Sequence, residues 1–198
     1  MMKNRILETY PQAMIGESDA ITLYVADFTE RTNSERGIEI RETKPSVPNS
    51  DKEMDCFVML NPQGVNILYN IFDDHQFKTV DGMDMQHCEC CLFPKTGVGE
   101  SWITFLEIKD CKRSNIARYK DKAKEQIISS VDIFRNNGIV SSEQRIFGVV
   151  SFPRKGKLTF NQTIFEDYSE YKRLYKKHKI HFYATNEVTV ENGNVIPG

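Results

Sequence analysis

Residues 102–112 read Trp-Ile-Thr-Phe-Leu-Glu-Ile-Lys-Asp-Cys-Lys, an apolar, aromatic and β-branched run that closes on an acid and a base. That composition marks a strand. Side chains alternate faces along a strand, so Glu107 and Lys109 project from one side at its C-terminal end. Just upstream, residues 87–94 (His-Cys-Glu-Cys-Cys-Leu-Phe-Pro) read as a second strand carrying Glu89 in an otherwise apolar setting. A carboxylate in a buried strand is costly unless a cation or hydrogen bonds satisfy it. Glu89, Glu107 and Lys109 are therefore read as one site at a sheet edge. The acid-x-Lys tripeptide alone says little, because Glu42-Thr-Lys44, Asp110-Cys-Lys112 and Glu170-Tyr-Lys172 repeat it. Those three fall in a linker, past the strand end and in a helix, where residues two apart do not share a face.

Outward from this stretch, Asn61-Pro62 resembles a helix start, and Val65, Leu68, Tyr69 and Phe72 recur at helical spacing, predicting a helix over 62–73. QFKTV (76–80), HCECCLFP and SWITFLEIKD, joined by the turns Asp81-Gly82 and KTGVGE (95–100), are read as three neighbouring strands. Ser114 or Asn115 then caps a long helix with Ile116, Tyr119, Ala123, Ile127, Ser130 and Phe134 on one stripe, stopped by Asn137-Gly138. RIFGVVSFP (145–153) is apolar enough to be a strand buried on both faces of a mixed or parallel sheet. A helix near 166–178 and the strands KIHFYAT and EVTVENG follow. Before all this, ITLYVADFT and DCFVML read as strands, separated by the loop-like residues 41–53. The expected organisation is an N-terminal extension and linker (1–53) preceding an α/β domain (54–198) with a central mixed sheet flanked by helices.

A chain of 198 residues with 39% hydrophobic and 27% charged residues fits a globular domain. No apolar run approaches the roughly 20 residues needed to cross a bilayer. No secretory signal is read in MMKNRILETYPQ, and the five cysteines are odd in number, so a cytoplasmic protein with reduced thiols is expected. By strand alternation Cys88 and Cys90 would face one way and Glu89 and Cys91 the other; core packing explains these thiols more simply than zinc. The net charge of −2 conceals a split: residues 1–108 hold 9 Lys/Arg against 18 Asp/Glu, residues 109–198 hold 17 against 10. Cations beside carboxylates suit a metal-dependent enzyme acting on a polyanion, but the charge split by itself is read first as a solvated surface with uneven charge.

The motifs VDG, CECCLF and WITFLEIK, followed by a long helix with Lys and Gln, resemble the PD-(D/E)xK nuclease superfamily, with a restriction-endonuclease-like fold, over roughly residues 62–190. The resemblance implies a Mg²⁺- or Mn²⁺-dependent nuclease. Glu107 and Lys109 match the (D/E)xK pair, and Glu89 stands where the family usually has Asp; Asp84 and Asp81 in the preceding turn are the other candidates for that acid. Gln126 or Lys122 matches the family's helical polar residue, whereas a Glu on the preceding helix has no counterpart. Lys112, Arg113, Arg118, Lys122, Arg154 and Lys155 would track a phosphate backbone, DNA ahead of RNA, and Tyr119, Tyr171 and Tyr175 lie among cations where they would stack on bases or pack in the core. Also implied are a homodimer or partner subunit and a role in bacterial defence, repair or mobile-element processing. The competing expectation is a catalytically inactive subunit on the same scaffold that binds nucleic acid or a protein partner.

Overall fold

The computed structural model describes residues 1–29, 37–73, 75–95, 102–111, 113–156, 160, 164–165, 167–191 and 193–198. In chain order these form α1 (Met2–Thr9), β1 (Met14–Ser18), β2 (Thr22–Asp27), β3 (Ile38–Arg41), β4 (Phe57–Leu60), β5 (Ile67–Ile71), β6 (Cys90–Pro94), β7 (Trp102–Ile108), α2 (Ile116–Asn136), β8 (Arg145–Ser151), α3 (Tyr168–His178), β9 (Ile180–Ala184), β10 (Glu187–Glu191) and β11 (Asn194–Pro197). A six-stranded sheet runs β1-β5-β6-β7-β8-β9, and a five-stranded sheet runs β11-β10-β4-β2-β3. Both are mixed. In the first, β5, β6 and β7 form an antiparallel meander, after which β8 and β9 lie parallel to β7. Parallel neighbours need a crossover, which α2 supplies between β7 and β8, and α3 between β8 and β9.

All seven residues of β7 are buried because both of its faces are covered. On one side Ile103 and Phe105 join Phe93, Phe182 and the α2 residues Ile127, Val131 and Phe134 in a helix-facing core, to which α1 adds Ile6. On the other, Trp102, Leu106 and Ile108 pack with Leu23, Phe57, Met59 and Val188 of the second sheet. The layers are helices, six-stranded sheet, five-stranded sheet. β8 is the buried parallel strand its apolar run predicts, and α2 ends where Asn137-Gly138 predicts. There Gly138 takes φ 66°, and Ile139 donates its N–H to Phe134 O at 2.9 Å, satisfying a terminal carbonyl that an L-side chain at Gly138 would strain to expose.

Three readings are corrected. Residues 62–73 are not a helix: Asn61 Oδ1 accepts from Val65 N (2.9 Å), Gly64 takes φ 59°, and β5 follows. A strand covered on both faces has no clean period of two, so Leu68, Tyr69 and Phe72 mimicked helical spacing. QFKTV holds an isolated bridge, Lys78 to Asp84, around the Asp81-Gly82 turn rather than a ladder, so the third strand of the meander is β5. The N-terminal residues are not an appendage either. β1 pairs with β5, and β2 lies between β3 and β4 in the second sheet. Residues 30–36 and 96–101, including most of the KTGVGE turn, lie outside the described residues.

Gly148 sits in β8 where α2 crosses. A Cβ there would lie 2.9 Å from both Ile127 Cγ2 and Phe182 Cε1. Gly148→Ala is expected to destabilise the fold by about 1–3 kcal/mol through overpacking, measured as a lower urea midpoint with unchanged slope.

Candidate active site

Glu107 is the penultimate residue of β7 and has no solvent exposure. It pairs with Val150 in the parallel ladder to β8, and Lys109 N extends that ladder by donating to Ser151 O at 2.9 Å. The two-residue spacing brings both side chains to one side, and the Lys109 ammonium is ion-paired with the Glu107 carboxylate. The lysine side chain is 19% exposed, so it forms the solvent side of the pair. The carboxyl ends of β7, β8 and β9 meet at this edge, which is where open α/β sheets present their sites.

Glu89 immediately precedes β6, whose antiparallel course returns it to the same edge. Cys90 is paired with Leu106, yet Glu89 N also donates to Leu106 O at 3.0 Å. Two residues thus share one partner, as in a β-bulge, a device that re-aims side chains. The bulge corrects the predicted alternation of cysteines: Cys88 and Cys91, three apart, both enter the helix-facing core, while Cys90 faces the second sheet. Glu89 itself is buried, at 6% exposure.

α2 fastens the segment leading to Glu89. Gln126 Nε2 donates to His87 O (2.9 Å), Ser129 Oγ to Gln86 O (2.6 Å), and Ser130 Oγ accepts from Cys88 N (2.8 Å). Gln126, chosen from sequence as a site residue, therefore reaches this strand from the helix, and its buried Oε1 has no hydrogen-bond partner among the described residues. The His87 ring packs edge-on against Phe72 and Phe77 and belongs to the core. Burial pushes the Cys90 thiol well above its ordinary range. Cys88, Cys91, Glu89 and Glu107 add to the push.

No family model matches the chain, and comparison with curated proteins and with solved structures finds no match.

Among the described residues no group of three or more His, Cys, Asp and Glu side chains is placed to hold a metal ion. Asp84 does not join Glu89 and Glu107: it is exposed and ion-paired with Lys78 and His75. Asp81 is exposed in the same turn. The donor set left for a cation is two buried carboxylates, hard oxygens that suit Mg²⁺ or Mn²⁺, ions that retain several waters. It does not suit zinc, and the five thiols are all buried and reduced. Thiol labelling should therefore find no fast-reacting cysteine in the native protein and all five after unfolding. Cys56, whose thiol burial pushes up to about 11, should stay unreactive at pH 8, since only the thiolate attacks.

Of the predicted phosphate contacts, Arg118 and Lys122 are exposed on α2, with the Arg118 guanidinium 5.7 Å from the Tyr119 ring centroid. Lys112 and the side chain of Arg113 lie outside the described residues. Arg154 is held otherwise than predicted: it grips the buried Asp110 with two hydrogen bonds, at 2.6 and 2.8 Å. Lys155 lies over the Phe160 ring at 4.8 Å. Lys124, on the same helix as Arg118 and Lys122, is buried against Glu170 at 2.6 Å. Partners 44 and 46 residues apart leave no local spacing signal, so these pairs were beyond sequence reasoning.

Proposed function

We propose that the chain is a divalent-metal-dependent phosphodiesterase acting on nucleic acid, built on a restriction-endonuclease-like scaffold and working in the cytoplasm. The observation carrying this reading is that two buried carboxylates, Glu89 just before β6 and Glu107 in β7, lie at the same end of neighbouring strands, with Lys109 paired to Glu107. Burying two carboxylates at one end of a sheet is expensive, and a site built to take a cation gives the expense a purpose. The order of antiparallel meander, crossover helix and parallel strand supports the same reading, as does the exposure of Arg118 and Lys122 on α2. Glu89 and Glu107 would hold Mg²⁺ or Mn²⁺, which when bound lowers the pKa of a coordinated water and offsets charge on the scissile phosphate. Lys109, at the solvent side of Glu107, orients the attacking water and faces the charge that develops on the phosphate. Gln126 holds the backbone two residues before Glu89 through His87 O.

The test is incubation of labelled single- and double-stranded DNA and RNA with Mg²⁺ or Mn²⁺, and with EDTA as control. Metal-dependent cutting is expected. Binding without cutting under every metal condition would replace this reading by that of a non-catalytic subunit on the same scaffold.

A further inference from the structure

α3 carries a feature that neither the core nor the carboxylate site uses. Tyr168, Lys172 and Tyr175 follow one another at i, i+4 and i+7, a single face of the helix, and Lys179 caps its end in the left-handed conformation. Tyr168 is 70% and Tyr175 38% exposed, too open for core residues. Lys172 Nζ lies 4.5 Å from the Tyr168 ring centroid and Lys179 Nζ 5.6 Å from that of Tyr175. The rings are braced from behind: Tyr171 lies parallel to Tyr168 within 8° at 6.2 Å, and His181 backs Tyr175 at 4.6 Å. Arg173, Lys176 and Lys177 are exposed on the same helix. Its one acid, Glu170, is turned inward onto Lys124 and subtracts nothing from the outer charge.

Stacking rings alternating with cations answer two properties of one ligand class, open base faces and a phosphate chain. A duplex hides its base faces, and an acidic peptide offers none. We propose that the outer face of α3 is a binding platform for single-stranded nucleic acid. It rests on the nucleic-acid reading above and adds the strandedness of the substrate. β8 runs to the sheet's carboxyl edge and α3 carries the chain back to the start of β9, so the Tyr168 end of the stripe is the end nearer the edge that holds Glu107. A strand laid along the stripe is thereby led to the carboxylates.

The test is fluorescence anisotropy of the full chain with labelled 20-mer oligothymidylate and with a 20-base-pair duplex, in EDTA so that cleavage plays no part. The single strand should bind at least about tenfold more tightly. Tyr168→Ala and Tyr175→Ala should each weaken that binding about 5- to 100-fold, with Phe at either position restoring most of it. Lys172→Gln combined with Lys176→Gln should lower the slope of log affinity against log salt by about 1.4. Alanine variants that bind like wild type, or wild type that prefers the duplex, would overturn the proposal. So would unchanged binding with loss of a dimer in sedimentation, which would assign the stripe to a second copy of the chain. Tyrosine-dependent binding by a protein that never cuts leaves the platform standing and removes the nuclease reading, so the two failures are separable.

Discussion

Glu107→Gln should reduce metal-dependent cleavage by about 10²–10³-fold or more while leaving the fold intact, and Lys109→Ala should reduce it as far with a measurable loss of stability. The asymmetry follows from burial. Glutamine keeps the shape of Glu107 and removes its charge, and Lys109, already 19% exposed, can turn its ammonium to water. Removing one electrostatic contributor from a preorganised site costs about 3–4 kcal/mol of transition-state stabilisation. Removing Lys109 instead strips the ion-pair partner from a carboxylate with no solvent exposure, and breaking a buried pair costs about 3 kcal/mol or more. Cleavage rates, thermal unfolding and Mn²⁺ titration of the three proteins check this. Mn²⁺ binding should be lost in Glu107→Gln and retained in Lys109→Ala, because only the first removes a ligand. Equal cleavage by wild type and both variants would end the catalytic assignment of these residues.

What was legible in the sequence was what depends on neighbours along the chain. β7 and β8 announce themselves by composition, and α2 by its stripe and its Asn137-Gly138 stop; the helix read near 166–178 is α3, which Asp167 caps by accepting from Glu170 N at 2.8 Å. The Glu107–Lys109 pairing was legible for the same reason, since a two-residue spacing on a strand fixes a shared face. What failed depended on residues far apart. The second sheet brings β2, β3 and β4 together with β10 and β11, joining the chain's beginning to its end, and no local pattern reports such pairing. β5 was hidden because packing on both faces erases its period. The bulge at Glu89 was hidden because it is a property of a ladder, and it moves Cys88 to the face that strict alternation denied it. Asp84 looked like a site residue by its distance from Glu89 in sequence, but a turn stabilised by Lys78 and His75 keeps it in solvent.

Arg154→Ala should lower the unfolding free energy by about 3 kcal/mol, although the sequence reading places this arginine among those that track a phosphate backbone. Its guanidinium makes two parallel hydrogen bonds to Asp110, whose side chain is 1% exposed. A planar fork matched to a carboxylate is the strong form of such a pair, and its loss strips a buried carboxylate of its cation. In a chain of 198 residues the loss corresponds to a fall in Tm of about 6–12 °C. Arg154→Lys should recover only part of it, because one ammonium cannot span both carboxylate oxygens. The double variant Asp110→Asn/Arg154→Ala should be more stable than Arg154→Ala alone, since no charge is then left buried, and the resulting coupling energy isolates the pair. A residue acting mainly on phosphate would behave differently: its removal would lower the salt slope of nucleic-acid binding by about 1 and leave Tm unchanged. Asp110 adjoins Lys109, so the same fork fixes the backbone that presents the lysine to Glu107. Arg154→Ala should therefore slow cleavage at saturating substrate, with Mn²⁺ affinity, which depends on Glu89 and Glu107, largely retained.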